Sequence, residues 1–180
     1  MRRFAIVAAF CLVSLAASAQ IPKANVFLGY SYMSADTNSN SRPNLNGWEG
    51  SLEGKFLPWV GIVADFNGQY GSQSVTVGST TVKPSQHYFN VFFGPQVSVS
   101  IGKIAPFFHL LGGVSHLNIG STAFTSSSSD TSFGDAIGGG VDYKLIPGLG
   151  WRVQADLVQT RFFDTSQKDF RLSTGVVFHF

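Results

Sequence analysis

Apolar and polar positions alternate along the chain from residue 24 to residue 180, in segments of about ten residues. A period of two places successive side chains on opposite faces of an extended strand. In one segment Trp151, Val153 and Ala155 alternate with Arg152 and Gln154. The pattern predicts eight strands, at Ala24–Met33, Gly47–Phe56, Val60–Tyr70, His87–Val97, Ala105–Leu117, Ser132–Lys144, Gly150–Phe162 and Asp169–Phe180.

The fifth of these strands is the one whose two faces the pattern does not separate. Phe107 and Phe108 are adjacent, and so are Leu110 and Leu111, so apolar side chains fall on both faces. In the other strands one face is largely apolar and the other carries the charged residues. The face assignment of the fifth strand therefore stays open.

The links between the predicted strands alternate in length. Strands joined by short turns run antiparallel, and short turns on one side with longer loops on the other are typical of bacterial outer-membrane barrels. Because the strand number is even, both termini are predicted on the short-turn side. The short links are Leu57–Trp59, Ile101–Lys103 and Leu145–Leu149, and the longer, polar links are Ser34–Asn46, Gly71–Gln86, Asn118–Thr131 and Asp164–Lys168.

Composition places these strands in a membrane. Charged residues make up 12% of the chain and aromatic residues 14%, with 17 phenylalanines. That charge content is about half the share in an average globular domain. No apolar run after residue 20 approaches the roughly 20 residues that a membrane-spanning helix needs. Since only helices and closed barrels satisfy their backbone groups in lipid, the fold is predicted to be all-β, an eight-stranded antiparallel up-and-down transmembrane β-barrel.

Aromatic residues add to this prediction, because they cluster at the strand ends as they do at the two interfaces of a membrane. The alternative, aromatic packing inside a soluble β-sandwich, fits less well with the few charges on that face. Those near the short turns are Phe56, Trp59, Tyr143, Trp151 and Phe180, and those near the longer links are Tyr30, Tyr32, Trp48, Tyr70 and Phe170.

The first residues have the pattern of a secretory signal peptide. Arg2 and Arg3 precede an uncharged run over Phe4–Leu15, and Ala17 and Ala19 supply the small residues of a cleavage site. We therefore predict a signal peptide at residues 1–19 and a barrel at residues 20–180. Export is expected by general secretion as an unfolded chain, because the twin-arginine route carries folded proteins. Cleavage removes the single cysteine and leaves ten Lys/Arg against ten Asp/Glu.

Together, the signal peptide, the eight strands, the alternating links and the terminal STGVVFHF resemble the OmpA/OmpX-type outer-membrane β-barrel domain family over the whole mature chain. This resemblance implies a bacterial outer-membrane location. It also implies that Val176, Phe178 and Phe180 form the signal that the barrel-assembly machinery reads, with periplasmic chaperones as further partners during biogenesis. The chain departs from the OmpA pattern by lacking a peptidoglycan-binding domain after the barrel.

Nine charged residues fall on the predicted inward face. Eight strands enclose an interior just wide enough for side chains to fill, and unpaired charges there would cost several kcal/mol each. We expect a mutually compensating network of salt bridges, with an ion or proton pathway as the alternative. The nine residues are Glu49, Glu53, Lys55, Asp65, Asp142, Lys144, Arg152, Asp156 and Arg171.

No pattern of catalytic or metal-binding residues accompanies these charges. A lipid-A deacylase of barrel type needs a His-x-Ser pair, and none of the four histidines has a serine two residues on. His109 and His179 are interpreted as polar residues of the barrel wall. We expect neither enzymatic activity nor a cofactor or metal, and the near-zero charge of the mature chain argues against nucleic acid as a partner.

Three functions remain open from the sequence. The leading hypothesis is a monomeric barrel that contacts outer-membrane lipid and lipopolysaccharide, with a role in envelope integrity or surface interaction through its outer loops. The second is a narrow pore or a carrier for small solutes. The third is a secreted soluble barrel of lipocalin type. What the loops bind cannot be read from their sequences.

Overall fold

The structure, a computed structural model, describes residues 23–35, 43–72, 75–77, 80–82, 85–120, 127–162 and 165–180. Within these ranges no helix is long and apolar enough to cross a membrane. The described strands are β1 (Lys23–Ser34), β2 (Asn44–Leu57), β3 (Val60–Ser72), β4 (Val75–Val77), β5 (Thr80–Val82), β6 (Ser85–Ser98), β7 (Ile104–Gly120), β8 (Ser127–Ile146), β9 (Leu149–Phe162) and β10 (Thr165–His179).

Eight of these strands close into one antiparallel barrel in the order β1-β10-β9-β8-β7-β6-β3-β2. The first and last strands pair from Asn25↔His179 to Ser34↔Phe170, so the barrel has no free edge. Closure satisfies the backbone groups of every strand without water. β4 and β5 form a separate hairpin within the link from β3 to β6. The predicted eight-stranded antiparallel barrel is confirmed.

The two ends of the barrel differ. Turns at residues 58–59, 102–103 and 147–148 lie at the same end as Lys23 and Phe180, and we call it the short-turn end; the opposite end is the loop end. Gly148 has φ of 82°, a left-handed conformation that glycine adopts without strain. This turn is tight because its strands pair almost to their ends, with Ile146 opposite Leu149.

At the loop end the strands run further than the sequence predicts. β7 continues to Gly120 and β8 begins at Ser127, so most of the predicted Asn118–Thr131 link is strand. β2 and β10 likewise begin inside predicted links, and the Gly71–Gln86 link contains the β4–β5 hairpin. The predicted extents of these links are therefore wrong. Backbone hydrogen bonds form whatever the polarity of the side chains. Strand ends rich in serine show no alternation of apolar and polar residues, so the sequence pattern does not predict them.

The shear of the barrel can be measured by following cross-strand partners from strand to strand around the barrel. The row of partners starts at Phe178 and returns to the same strand at Lys168, ten residues nearer the loop end, so the shear number is 10. With a rise of about 3.3 Å per residue and a strand spacing of about 4.8 Å, the strands tilt by roughly 40° from the barrel axis. The full row is Phe178, Val26, Leu52, Ala64, Phe93, Gly112, Asp135, Gln159 and Lys168.

The outward face of the barrel is an apolar belt. Leu52, Phe93 and Leu157 are each more than half exposed to solvent. In a membrane this surface contacts lipid chains, which removes the cost of exposing it to water. Trp59 and Trp151 near the short turns and the other aromatic residues predicted for the belts also point outward.

The structure settles the faces of the fifth barrel strand, β7. Phe108 and Leu110 are exposed on the belt, whereas Phe107, His109 and Leu111 are buried inside. Both faces carry large apolar residues because the interior here is partly apolar. Leu111 packs there with the buried side chains of other strands, namely Val63, Phe92, Ala136 and Val158.

A second apolar cluster closes the interior at the loop end. Met33, Leu45, Tyr88 and Leu117 are each no more than 4% exposed and pack together near the strand ends. The polar part of the interior thus lies between this end and the short turns. It contains the charged residues that the sequence analysis singled out.

Candidate functional site: the polar interior

Arg171 on β10 is the centre of the polar interior. Its guanidinium donates to Asp156 Oδ2 from Nε at 2.9 Å and from Nη2 at 2.7 Å, and to Asp65 Oδ1 from Nη1 at 3.0 Å. Glu49 Oε2 lies 3.4 Å from Arg171 Nε. Because the three carboxylates come from β9, β3 and β2, the guanidinium spans the barrel from one wall to the other. Arg171 is completely buried.

Asp156 extends this centre towards β7 and β8. Its Oδ1 lies 2.7 Å from His109 Nε2, and Gln154 Nε2 donates to its Oδ2 at 3.1 Å. The neighbouring strand makes room with Gly138, the cross-strand partner of Asp156. A Cβ on Gly138 would lie only 1.9 Å from Asp156 Oδ1. Glycine at 138 therefore creates the space that the carboxylate occupies.

Glu49 and Asp65 connect the centre to uncharged partners. Glu49 accepts from Gln154 Nε2 and from Ser173 Oγ, each at 2.5 Å. Asp65 accepts from Asn67 Nδ2 at 2.7 Å, and Asn67 in turn accepts from Asn90 at 2.7 Å. Both carboxylates therefore have hydrogen bonds beyond Arg171, as buried charges require.

The central group is not balanced in charge. Three carboxylates, on Glu49, Asp65 and Asp156, face the single guanidinium of Arg171. His109 is the other basic side chain in contact with them. Excess negative charge in a low-dielectric interior is costly, so the group depends strongly on its one permanent cation.

Arg152 and Asp142 form a second group nearer the short turns. Arg152 Nε and Nη2 donate to Asp142 Oδ1 and Oδ2 at 2.6 Å and 2.8 Å, a bidentate geometry. The guanidinium carbon lies 4.4 Å from the ring centre of Phe107 and 5.2 Å from that of Phe27. These rings stabilise the cation through their π faces.

A third group lies at the short-turn end. Lys55 Nζ is 3.7 Å from Glu53 Oε1 and donates to Ser98 Oγ at 2.7 Å. Asn25 donates to Glu53 Oε2 at 2.5 Å, and its Oδ1 lies 2.8 Å from His179 Nδ1. These side chains border a cavity of about 250 Å³ that opens towards the short turns.

The structure places all nine charged residues of the sequence analysis on the inner face, and eight of them form three separate groups. Lys144 differs from the expected mutual compensation, since it has no ion-pair partner among the described residues. Their roles stay a prediction, as do those of Val176, Phe178 and Phe180, whose side chains follow the outward phase of β10. Ala17 and Ala19 lie outside the described residues.

His109 is a polar residue of the barrel wall whose face the sequence leaves open. In the structure it points inward and is 2% exposed, with Nε2 2.7 Å from Asp156 Oδ1 and Nδ1 3.4 Å from Gln96 Oε1. His109 lies two residues from both Phe107 and Leu111, so the three side chains are on the same face of the strand. This shared face is the sequence feature that could have placed His109 in the interior. That face could not be assigned to the interior while both faces of the strand appeared apolar. The described residues contain no cluster of side chains suited to hold a metal ion.

These features define a class of protein: a closed, tilted, eight-stranded barrel with a lipid-facing apolar belt and a filled polar interior. The sequence profile of the outer membrane protein beta-barrel domain matches residues 4–180. The chain belongs to this family of bacterial outer-membrane barrels. A search of curated protein sequences finds no significant match.

Solved structures share the fold at low sequence identity. OprG, an outer membrane protein of Pseudomonas aeruginosa, is similar with a TM-score of 0.66 and 13% identity, covering 89% of this chain and 97% of OprG. Neisserial surface protein A has a TM-score of 0.65 and 12% identity, covering 88% of this chain and 96% of its own. Ail, the attachment invasion locus protein of Yersinia pestis, has a TM-score of 0.60 and 16% identity, covering 88% of this chain and all of Ail.

Proposed function

We propose that this protein is a non-conducting, non-enzymatic barrel that serves envelope integrity and surface contact through its loop end. The cross-barrel position of Arg171 is the observation that carries the proposal. A barrel whose centre is occupied by buried, hydrogen-bonded side chains acts as a rigid support, and the sites open to partners are then its ends and its outer face.

The filled interior argues against the pore hypothesis. An ion moving along the barrel axis would have to pass Arg171, whose contacts reach Asp65 on β3 and Asp156 on β9. It would also have to pass the Arg152–Asp142 pair between Phe27 and Phe107. Opening either level separates buried ion pairs, which costs about 3–5 kcal/mol for each unpaired charge.

The loop end supports a role in surface contact. β7 and β8 extend to Gly120 and Ser127, well beyond the apolar belt, and the β4–β5 hairpin adds strand between β3 and β6. Such extensions carry paired strands beyond the part of the barrel that the apolar belt covers. One solved relative of this fold is an attachment and invasion protein, determined with a heparin analogue. That likeness concerns the fold alone, and it makes attachment a reasonable first activity to test.

The positions of the histidines support the absence of catalysis. His109 is fully engaged with Asp156 and Gln96 inside the barrel. His116 is exposed, and its Nδ1 lies 2.8 Å from Thr131 Oγ1 at the loop end. A protease of Escherichia coli, OmpT, has the same general fold with a TM-score of 0.50 and 9% identity, so the fold by itself does not decide this point.

Planar-bilayer recording of the purified barrel tests the proposal directly. We expect no steady single-channel steps from the wild type. Cells that express the full chain should also attach to a heparin-coated surface better than cells whose chain has residues 75–82 replaced by a short Gly-Ser link. Both chains should show the same heat-modifiable shift on a gel. Stable conductance in the wild type, or equal attachment by both chains, would contradict the proposal.

A further inference from the structure

The cavity at the short-turn end has a lining that the proposed function does not use. It is about 250 Å³ in volume and is bordered by three lysines, Lys23, Lys55 and Lys144. Glu53 and Asp142 are the acidic side chains that border it. This volume is below that of pockets for drug-sized ligands, so the cavity suits a small solute or a single headgroup.

With Arg152 counted, four basic side chains around this cavity face two acidic side chains and the terminal carboxylate of Phe180, an excess of one positive charge. Asp142 is matched by the bidentate Arg152, and Glu53 by Lys55 at 3.7 Å. Lys23 and Lys144 then remain without an ion-pair partner among the residues that the structure describes. Ammonium groups held without a counter-ion at the mouth of a low-dielectric barrel attract anions.

Two buried or half-buried nitrogen atoms in the lining also lack hydrogen-bond partners among the described residues. Gln96 is 1% exposed, and its amide Nε2 has no hydrogen bond, while its Oε1 faces His109. His179 bonds Asn25 through Nδ1, and its Nε2 has no hydrogen-bond partner. A buried amide N–H without an acceptor is energetically unfavourable. An acceptor placed in the cavity would recover that cost.

We propose that this cavity binds a small tetrahedral oxyanion of the phosphate class. Lys144 and Lys23 supply charge, Gln96 Nε2 donates to one oxygen, and His179 Nε2 lies in the same lining. Glu53 Oε1, which has no hydrogen bond among the described residues, accepts from the protonated oxygen of hydrogen phosphate. Charge-assisted hydrogen bonds from lysine are a common means of holding phosphate. The phosphate group belongs either to a free ion or to the headgroup of a phospholipid in the adjacent leaflet.

Titration of inorganic phosphate into the folded barrel tests the proposal. The barrel is held in octyl glucoside, which contains no phosphate, and the side-chain amide signal of Gln96 is followed by NMR at constant ionic strength set with chloride. We expect saturable shifts of this signal. Lys144→Met should weaken binding roughly tenfold, since it removes one charged donor. The matched control Lys103→Met removes a lysine from a short turn outside the lining and should bind like the wild type.

The two sources of phosphate are separated by a second preparation in phosphatidylglycerol nanodiscs. A Gln96 signal already at its phosphate-bound position identifies a lipid headgroup, whereas a signal that moves only on adding phosphate identifies the free ion. The proposal is overturned if the Gln96 signal does not move in either preparation, if chloride alone moves it equally, or if Lys144→Met titrates like the wild type. Heat-modifiable gel shifts confirm that each variant is folded.

Discussion

Replacing Arg171 with methionine removes the one permanent cation of the central group while keeping a side chain of similar length. The hydrogen bonds to Asp156 and Asp65 and the contact with Glu49 are all lost. Three buried carboxylates then face one another with His109 as the remaining basic contact. Removing one partner of a buried ion pair costs about 3–5 kcal/mol. We expect Arg171→Met to lower the free energy of unfolding by about 4 kcal/mol.

Urea unfolding in lipid vesicles, followed by tryptophan fluorescence, measures this loss. With a slope near 2 kcal/mol per molar urea, the midpoint should fall by about 2 M. Arg161→Met is the matched control, because Arg161 is exposed on the neighbouring strand β9. Its effect should stay within about 0.5 kcal/mol.

A second substitution separates electrostatics from packing. Adding Asp156→Asn to Arg171→Met removes one of the crowded charges, so the double variant should regain more than about 1 kcal/mol over Arg171→Met alone. The reasoning would be refuted if Arg171→Met destabilised the barrel no more than Arg161→Met does. It would also be refuted if Asp156→Asn made the Arg171→Met barrel still less stable.

Further predictions concern packing, the belt and assembly. Gly138→Ala should destabilise the barrel in the same urea assay by about 2 kcal/mol or more, because its Cβ would collide with Asp156, whereas Gly54→Ala, which has open space around it, should be neutral. Asp135→Leu should raise the urea midpoint, with a gain of about 1 kcal/mol, since this carboxylate points out from the lipid-facing wall. Phe180→Ala should slow insertion by the barrel-assembly machinery in proteoliposomes while changing the midpoint little; an unchanged rate would remove this residue from the assembly signal.

The barrel could be predicted from sequence because lipid on one side and polar side chains on the other impose a strict alternation. From Trp151 to Leu157 in β9 each outward residue, such as Val153, is apolar and each inward one, such as Gln154, is polar. This alternation is lost where the barrel interior is itself apolar, because both faces of the strand then carry apolar residues. In β7 the buried Phe107 and Leu111 remove the contrast between the two faces, so the sequence does not show which face His109 is on.

The grouping of the interior charges could not be predicted at all. Arg171 and Asp65 are 106 residues apart in the chain and meet only because the register brings β10 and β3 to matching heights. Register depends on the sum of all the strand pairings, which local patterns do not contain. Sequence therefore identified which residues face inward, and only the closed barrel shows which of them meet.

The barrel closes with a shear number of 10, and the pairing of β1 with β10 could in principle form in a shifted register. Side chains alternate between inside and outside, so a slip of one residue between β1 and β10 would set inward positions beside outward ones. A slip of two residues preserves the alternation, and the apolar belt would accept it. It would, however, move Arg171 by roughly 6–7 Å relative to Glu49 and Asp65, which lie beyond that seam. The buried ion pairs therefore favour the correct register between β1 and β10 over a register shifted by two residues, which the apolar belt alone would not distinguish.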